Sequence, residues 1–302
     1  MPVSCSSAPL EALKAFGSVI SPTVAQATAD LLAPLAALQP CDGMTFRLDV
    51  PYGAERLQCL DLFVPADTAG GRAALLFAHG GGYVAGDKSE RDPFYRNVGI
   101  WAARRGLVAA CMNYRLAPEH RWPAAADDVA KAFAWLLRHS VELGIDPGRI
   151  FVMGHSAGAT HIACWLARRA PHDAVQGLST TRRAAGAILL SGTYDLSTAP
   201  PSTQRSAYFG EDPAEFSARS TIATLPADET RLLLVTAELD PSTVQQQTLV
   251  LAHRCAVERR PEAPTAIVAT DHNHFSTAMH LGACDSALSS AIGKFLATAD
   301  AR

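Results

Sequence analysis

Charge is scarce and balanced in this chain. Asp, Glu, Lys and Arg make up 18% of 302 residues, with 26 basic against 29 acidic side chains and a net charge of −3. No basic excess or stripe is available to neutralise a phosphate backbone, so nucleic acid is not expected as a partner. Long apolar runs are missing too: "LLAPLAAL" at 31–38 falls far short of the roughly 20 residues a membrane helix needs. The opening "MPVSCSSAPLEALKAFGSVI" has no basic flank and no sustained apolar core, so no signal peptide is read. C-x-x-C does not occur. The seven cysteines (Cys5, Cys41, Cys59, Cys111, Cys164, Cys255 and Cys284) are odd in number and widely spaced, which fits reduced thiols rather than a disulfide framework or structural zinc. A cytoplasmic protein without membrane attachment is the expectation.

What is present is a chain that is 48% apolar, enough for a globular core, and long enough for one large domain or two small ones. Residues 8–38 read as two Ala/Leu-rich helical stretches, with Pro22 near the start of the second and Pro34 interrupting it. From about residue 44 the period changes. "MTFRLDV" and "LQCLDLFV" read as strands around the turn "PYGAER", and "AALLFAH" (73–79) as a buried strand ending at glycines. Helices near 91–105, 124–141, 156–170, 202–220, 242–258 and 286–298 then alternate with strands at 107–114, 149–154, 186–192, 231–237 and 265–270. Apolar strands alternating with amphipathic helices predict an α/β fold with a mostly parallel central sheet covered on both faces. Chemistry in such sheets gathers at the carboxyl ends of the strands. The expected organisation is a helical N-terminal segment (1–43) laid over one domain (44–302).

"FVMGHSAGAT" (151–160) places Ser156 in a G-x-S-x-G pattern, with a strand before it and helix-forming residues after it. A sharp strand-to-helix turn pushes the hydroxyl clear of the sheet, and flanking glycines avoid a backbone collision. Taken alone, the pattern also describes an ordinary tight turn. "HGGGY" (79–83) ends an earlier strand with three glycines whose N–H groups can face a substrate oxygen. Neither a following Lys-Ser/Thr nor a G-x-G-x-x-G pattern makes it a phosphate cradle. Gly81, Gly82 and Ala157, the residue after the serine, are the candidate oxyanion donors. His79 reads as a structural hydrogen-bonder.

Together "HGGGYVAGD" (79–87), "NYRLAPEHRWPAAADD" (113–128) and "GHSAGA" (154–159) resemble the α/β-hydrolase superfamily. The match is to its HGGG-type esterase branch of hormone-sensitive-lipase-like and kynurenine-formamidase-like carboxylesterases, and it runs from about residue 44 to 298. One departure is His155, where hormone-sensitive-lipase-like members usually carry an acidic residue. The resemblance implies an α/β-hydrolase fold and the chain order Ser, then Asp or Glu, then His. It implies Asp240, after "RLLLVTAEL", as the acid, with Glu238 and Asp195 as rivals. In "IVATDHNHFSTAMH" it implies His274, which precedes Phe275, as the base, with His272 as the runner-up. His272 and His274 also form H-x-H, a weak zinc signal without further ligands. The segment 113–128 is expected to buttress the nucleophile and donor loops, with Asp127 and Asp128 in the first turn of the next helix.

Candidate substrate-binding residues are Tyr83, His155, Tyr194 and Tyr208, and the N-terminal helices could serve as a lid. The leading expectation is a serine carboxylesterase acting on small to medium acyl or aryl esters, with no cofactor and no metal. Arylformamide hydrolysis is the alternative, and a non-catalytic ligand-binding protein on a hydrolase fold is a third reading. The expected partner is a small-molecule ester. A homodimer stays open.

Overall fold

A computed structural model describes residues 8–67, 70–89, 92–168, 183–258, 263–283 and 286–298. Cys5, Cys284 and His172 lie outside the described residues. The eight strands β1 (Met44–Pro51), β2 (Cys59–Pro65), β3 (Arg72–Ala78), β4 (Val108–Met112), β5 (Ile145–His155), β6 (Gly186–Leu190), β7 (Leu232–Ala237) and β8 (Thr265–Ala269) form one sheet. Their order is β1-β2-β4-β3-β5-β6-β7-β8. β1 with β2 and β2 with β4 are antiparallel; every other pairing is parallel.

Strand periodicity divides the core. Along β3, Ala74, Leu76 and Ala78 join one apolar cluster, while Leu75 and Phe77 join the other on the opposite face. β5 alternates in the same way, Ile150 and Val152 against Phe151 and Met153. Successive side chains point to opposite faces, so strands buried on both sides must be apolar throughout. β4 is buried at every residue.

Helices begin and end where local chemistry dictates. α1 (Ala8–Ala12) leads through a short 3₁₀ turn to α2 (Pro22–Ala36). Ser21 caps α2 by accepting from the Val24 N–H, with Pro22 at the first helical position. Pro34 does not interrupt α2, contrary to the sequence reading. The helix carries on past it to Ala36. α3 (Arg96–Ala103) starts later than expected. The helix anticipated at 124–141 divides at His139 into α4 (Ala124–Arg138) and α5 (Ser140–Leu143). α6 (Ala157–Ala167) follows β5 directly. The single helix expected at 202–220 is two, α7 (Thr203–Phe209) and α8 (Pro213–Arg219). Gly210 at φ 82° ends the first, and Asp212 caps a second that opens on Pro213. α9 (Ser242–Val257), α10 (Ser276–Met279) and α11 (Ala287–Ala297) complete the chain.

The strand order fixes where a site can form. From β3 the chain crosses to β4 on one side, then returns to place β5 on the other, with Ala78 opposite Gly154. This reversal makes the carboxyl ends of β3 and β5 the topological switch point, where sheets of this kind place their sites. The loop after β3 carries the three glycines, and the turn after β5 carries Ser156. α2 buries Thr28, Ala29 and Leu32. It is bonded to the loop after β8, where Asn273 Nδ2 donates to Thr28 Oγ1 (2.8 Å), and Lys14 of the preceding 3₁₀ turn pairs with Asp271 (2.7 Å).

Candidate active site

Ser156 sits at φ 53°, ψ −116° between β5 and α6, a left-handed backbone that only a tightly determined turn sustains. Its N–H donates to the Leu190 carbonyl (2.8 Å). The flanking glycines are steric requirements. A Cβ on Gly154 would lie 2.5 Å from Ala159 N, and one on Gly158 would lie 2.2 Å from the Ala78 carbonyl oxygen. Ser156 is partly exposed, so its hydroxyl is accessible, and the amino end of α6 points its free N–H groups and positive dipole end there.

Asp240 and His274 meet the serine from the loops after β7 and β8. His274 Nδ1 donates to Asp240 Oδ1 (2.7 Å), and the Ser156 hydroxyl donates to His274 Nε2 (2.9 Å). A carboxylate can only accept, so the imidazole proton resides on Nδ1 and Nε2 keeps its lone pair for the serine. Asp240 Oδ2 accepts from Ser191 Oγ (2.6 Å), Thr236 Oγ1 (2.8 Å) and the Ala237 N–H (2.8 Å). Burial by itself would raise the Asp240 carboxyl. His274 and these donors outweigh burial and hold it below the ordinary carboxylate range.

The rivals stand elsewhere. Glu238 accepts from the Asp271 N–H (2.7 Å), and Asp195 caps its own turn by accepting from the Ser197 N–H (2.9 Å). His272 Nδ1 lies 3.0 Å from Ser276 Oγ, its ring packs 4.4 Å from His280, and burial lowers its pKa to about 4. Among the described residues, no group of three His, Cys, Asp or Glu side chains is arranged to hold a metal ion.

The glycine loop is pressed against Ser156. A Cβ on Gly80 would stand 3.4 Å from Ser156 Cβ, and one on Gly81 (φ 137°) would overlap the Ala85 carbonyl at 1.8 Å. Segment 113–128 holds this loop from behind. The Tyr114 hydroxyl donates to the His79 carbonyl (2.7 Å), the Ala117 N–H to the Tyr83 carbonyl (3.0 Å) and Asn113 Nδ2 to Asp87 (2.6 Å). Asp127 lies in the first turn of α4 as expected, while Asp128 falls just beyond it and is fully buried. It takes Arg115 through Nε (3.0 Å) and Nη2 (2.8 Å) and accepts from Gln58 (2.6 Å). His79 is buried and bonds to the Gly80 carbonyl (2.6 Å), and burial lowers its pKa to about 4.

The four candidate substrate contacts are placed less favourably. His155, Tyr194 and Tyr208 are each 1% exposed. Their side chains are packing elements and offer a substrate no open surface in this conformation. Tyr83 stacks on Tyr208 at 5.3 Å with its hydroxyl 3.5 Å from Thr160 Oγ1. Sequence reasoning missed Ser191 and Thr236, which bond Asp240. Ser191 ends a strand beside the nucleophile's own, at φ 52°. A small polar residue at a strand's carboxyl end was the available signal. Asn97 and Thr277, which bond the base's loop, carry none.

A family model described as an alpha/beta hydrolase fold matches residues 75–266. The chain belongs to the α/β-hydrolase fold family. Relatives within and around this fold are named as ester-cleaving proteins. Ethyl acetate hydrolase of Pseudomonas putida is 36% identical over 164 residues, 54% of this chain and 49% of that protein. Esterase LipI of Mycobacterium tuberculosis is 43% identical over 96 residues, 32% of this chain and 29% of its own length. The matched stretch thus spans about half or less of these relatives. The hyperthermophilic esterase from the archaeon Pyrobaculum calidifontis is similar in structure at 21% identity, with a TM-score of 0.68 over 99% of this chain and 98% of that one. Esterase B from Lactobacillus rhamnosis reaches a TM-score of 0.72 at 18% identity, covering 97% and 96%. No helix among the described residues of this α/β-hydrolase-fold chain is long and apolar enough to cross a membrane.

Proposed function

We propose that this α/β-hydrolase-fold chain is a serine carboxylesterase acting on small to medium acyl or aryl esters. The observation that carries the reading is the unbroken hydrogen-bond chain Asp240–His274–Ser156, at 2.7 and 2.9 Å. The names of the relatives, ethyl acetate hydrolase and esterase LipI, support the ester bond as the target.

In this mechanism, His274 Nε2 takes the Ser156 proton as Oγ attacks the ester carbonyl carbon, and Asp240 stabilises the imidazolium that forms. The carbonyl oxygen gains the electron pair and becomes an oxyanion. The N–H groups of Gly81, Gly82 and Ala157 are its donors, each worth about 3 kcal/mol. Among the described residues the Gly81 and Gly82 N–H groups donate to no protein acceptor, which leaves them for the oxyanion. The tetrahedral intermediate collapses, His274 returns the proton to the departing alkoxide, and the alcohol leaves an acyl-Ser156. Water then repeats the sequence: His274 removes its proton, the acid is released and the Ser156 hydroxyl is restored.

The test is turnover of p-nitrophenyl acetate by Ser156→Ala, expected to fall by roughly 10⁴- to 10⁶-fold. Labelling of Ser156 by a fluorophosphonate should vanish in the same variant. Hydrolysis at the wild-type rate by Ser156→Ala would refute the proposal.

A further inference from the structure

His155 is the residue between Gly154 and the nucleophile, and its imidazole touches three parts of the site at once. Nε2 lies 2.9 Å from the main-chain carbonyl oxygen of His274. Nδ1 lies 3.3 Å from the Tyr95 hydroxyl. On its third side the ring abuts the donor loop: a Cβ on Gly80 would fall 2.8 Å from His155 Nδ1. The ring is 1% exposed, and its centroid stands 5.0 Å from that of His274.

We propose that His155 is a positioning residue for the base: its Nε2–H tethers the main chain of His274 to the nucleophile turn and so fixes the distance between His274 Nε2 and Ser156 Oγ. This inference rests on reading Ser156, His274 and Asp240 as the catalytic chain.

A carbonyl oxygen can only accept, so His155 Nε2 carries the proton and Nδ1 takes the bond from the Tyr95 hydroxyl. Both ring nitrogens are thereby committed, and the imidazole is not free to act as a second base. Burial first, and then the neighbouring His274, together lower its pKa to about 3. The ring is therefore neutral at neutral pH. His274 is thus anchored at two points. Asp240 holds the far nitrogen of its ring, and His155 holds its backbone. The second bond on that carbonyl, from Thr277 Oγ1 (2.9 Å), lies within the base's own loop and cannot fix the loop relative to the serine. The His155 bond spans 119 residues and can. A base displaced by about 1 Å from its proton loses on the order of 100-fold in rate.

The experiment compares His155→Phe, which keeps a buried ring but has no donor, with His155→Gln, whose amide N–H can occupy the place of Nε2. Both are assayed on p-nitrophenyl acetate after thermal melting confirms folding. His155→Phe is expected to lose about 10- to 100-fold in kcat with KM within twofold, because the base moves while the binding surface does not. His155→Gln is expected to recover most of that loss. Wild-type kcat in His155→Phe, or equal losses in both variants with KM rising in step, would overturn the inference. If His155→Phe does not fold, Tyr95→Phe takes its place, since losing the partner on Nδ1 frees the ring to turn. A several-fold lower kcat at constant KM is then the expected result, and unchanged kcat overturns the inference. Full activity in Ser156→Ala would instead defeat the esterase reading itself, so the two failures are distinguishable.

Discussion

The proposed nucleophile and the proposed base reach the same point by opposite means. Ser156 is placed by main-chain packing around its turn. The end of β5, the start of α6 and two glycines that leave no room for a Cβ set it. His274 is placed by residues remote in sequence. Asn97 Nδ2, on α3, donates to the carbonyls of Ala278 and Leu281 (3.0 Å each), closing the turns just after the base. Asn273 reaches back 245 residues to Thr28. Gln39 is wedged against Gly282, where a Cβ would fall 1.9 Å from its side-chain carbon. One half of the site is built by backbone sterics and the other by a set of side-chain hydrogen bonds. The halves should therefore fail differently, the first all at once and the second by degrees.

The largest effect is expected at the elbow. In Gly158→Ala the added methyl would sit 2.2 Å from the Ala78 carbonyl oxygen and 2.5 Å from that of His79. Both atoms are backbone at the end of β3, so relief requires β3 and α6 to separate. That moves the glycine loop away from the serine. Overpacking of this kind costs about 1–3 kcal/mol or more, and displaced oxyanion donors cost about 3 kcal/mol each. We expect a thermal midpoint lower by several degrees and at least a 100-fold loss of kcat/KM. A variant with normal turnover would show that the elbow tolerates what its geometry forbids.

Acid should separate the two halves next. Burial lowers the pKa of His79 and His272 to about 4, of His155 and His161 to about 3, and of His280 well below its usual value. In the unfolded chain these rings take a proton near pH 6.5. Between pH 6.5 and 4 the unfolded state therefore binds more protons, and stability falls as pH falls through that window. Each ring contributes up to about 1.4 kcal/mol per pH unit. Asp240 acts at lower pH: its carboxyl is depressed, so its contribution is lost only below the ordinary carboxylate range. His161 lies on α6 while His272 and His280 lie in the loop after β8, so both regions lose stability in this window; the loop has little regular structure, so hydrogen exchange at pH 5 should open residues 270–283 before α6. An unfolding free energy that stays flat from pH 7 to pH 5 would contradict the burial of these rings.

The same contrast explains what could be read from the chain. The elbow, the glycine loop and the alternation of apolar strands are short-range patterns, so Ser156, Gly81 and the parallel sheet were legible. Asp240 and His274 required the order of residues in similar proteins, since Glu238 and His272 are as plausible by spacing alone. Ser191, Thr236 and Asn97 act across contacts that no local pattern records. His155 was legible as a residue of the nucleophile turn but not as a partner of the base, because that contact spans 119 residues. The split of the helix expected at 202–220 was local after all: Gly210, Asp212 and Pro213 together spell a stop and a start.

The smallest effect concerns the N-terminal segment, where a lid and a clamp make different predictions. A lid governs which substrates enter; a clamp governs where the base stands. Thr28 lies on the buried face of α2 and accepts the Asn273 amide, while Asn273 Oδ1 accepts the successive N–H groups of Phe275 and Ser276, just after His274. Thr28→Val keeps the shape and removes the acceptor, leaving a buried N–H unpaired at a cost of about 1–3 kcal/mol. If the segment clamps the base's loop, kcat should fall a few-fold for every ester, with KM and acyl-chain preference unchanged, because the change reaches the site only through His274. If it covers the site, kcat on a short ester should hold while KM and the preference between short and long acyl chains shift. The Lys14–Asp271 pair is exposed and screened by salt, so raising ionic strength should leave either pattern intact. Profiles of p-nitrophenyl acetate and p-nitrophenyl octanoate on this one variant decide between the two, since the clamp moves one kinetic constant and the lid moves the other.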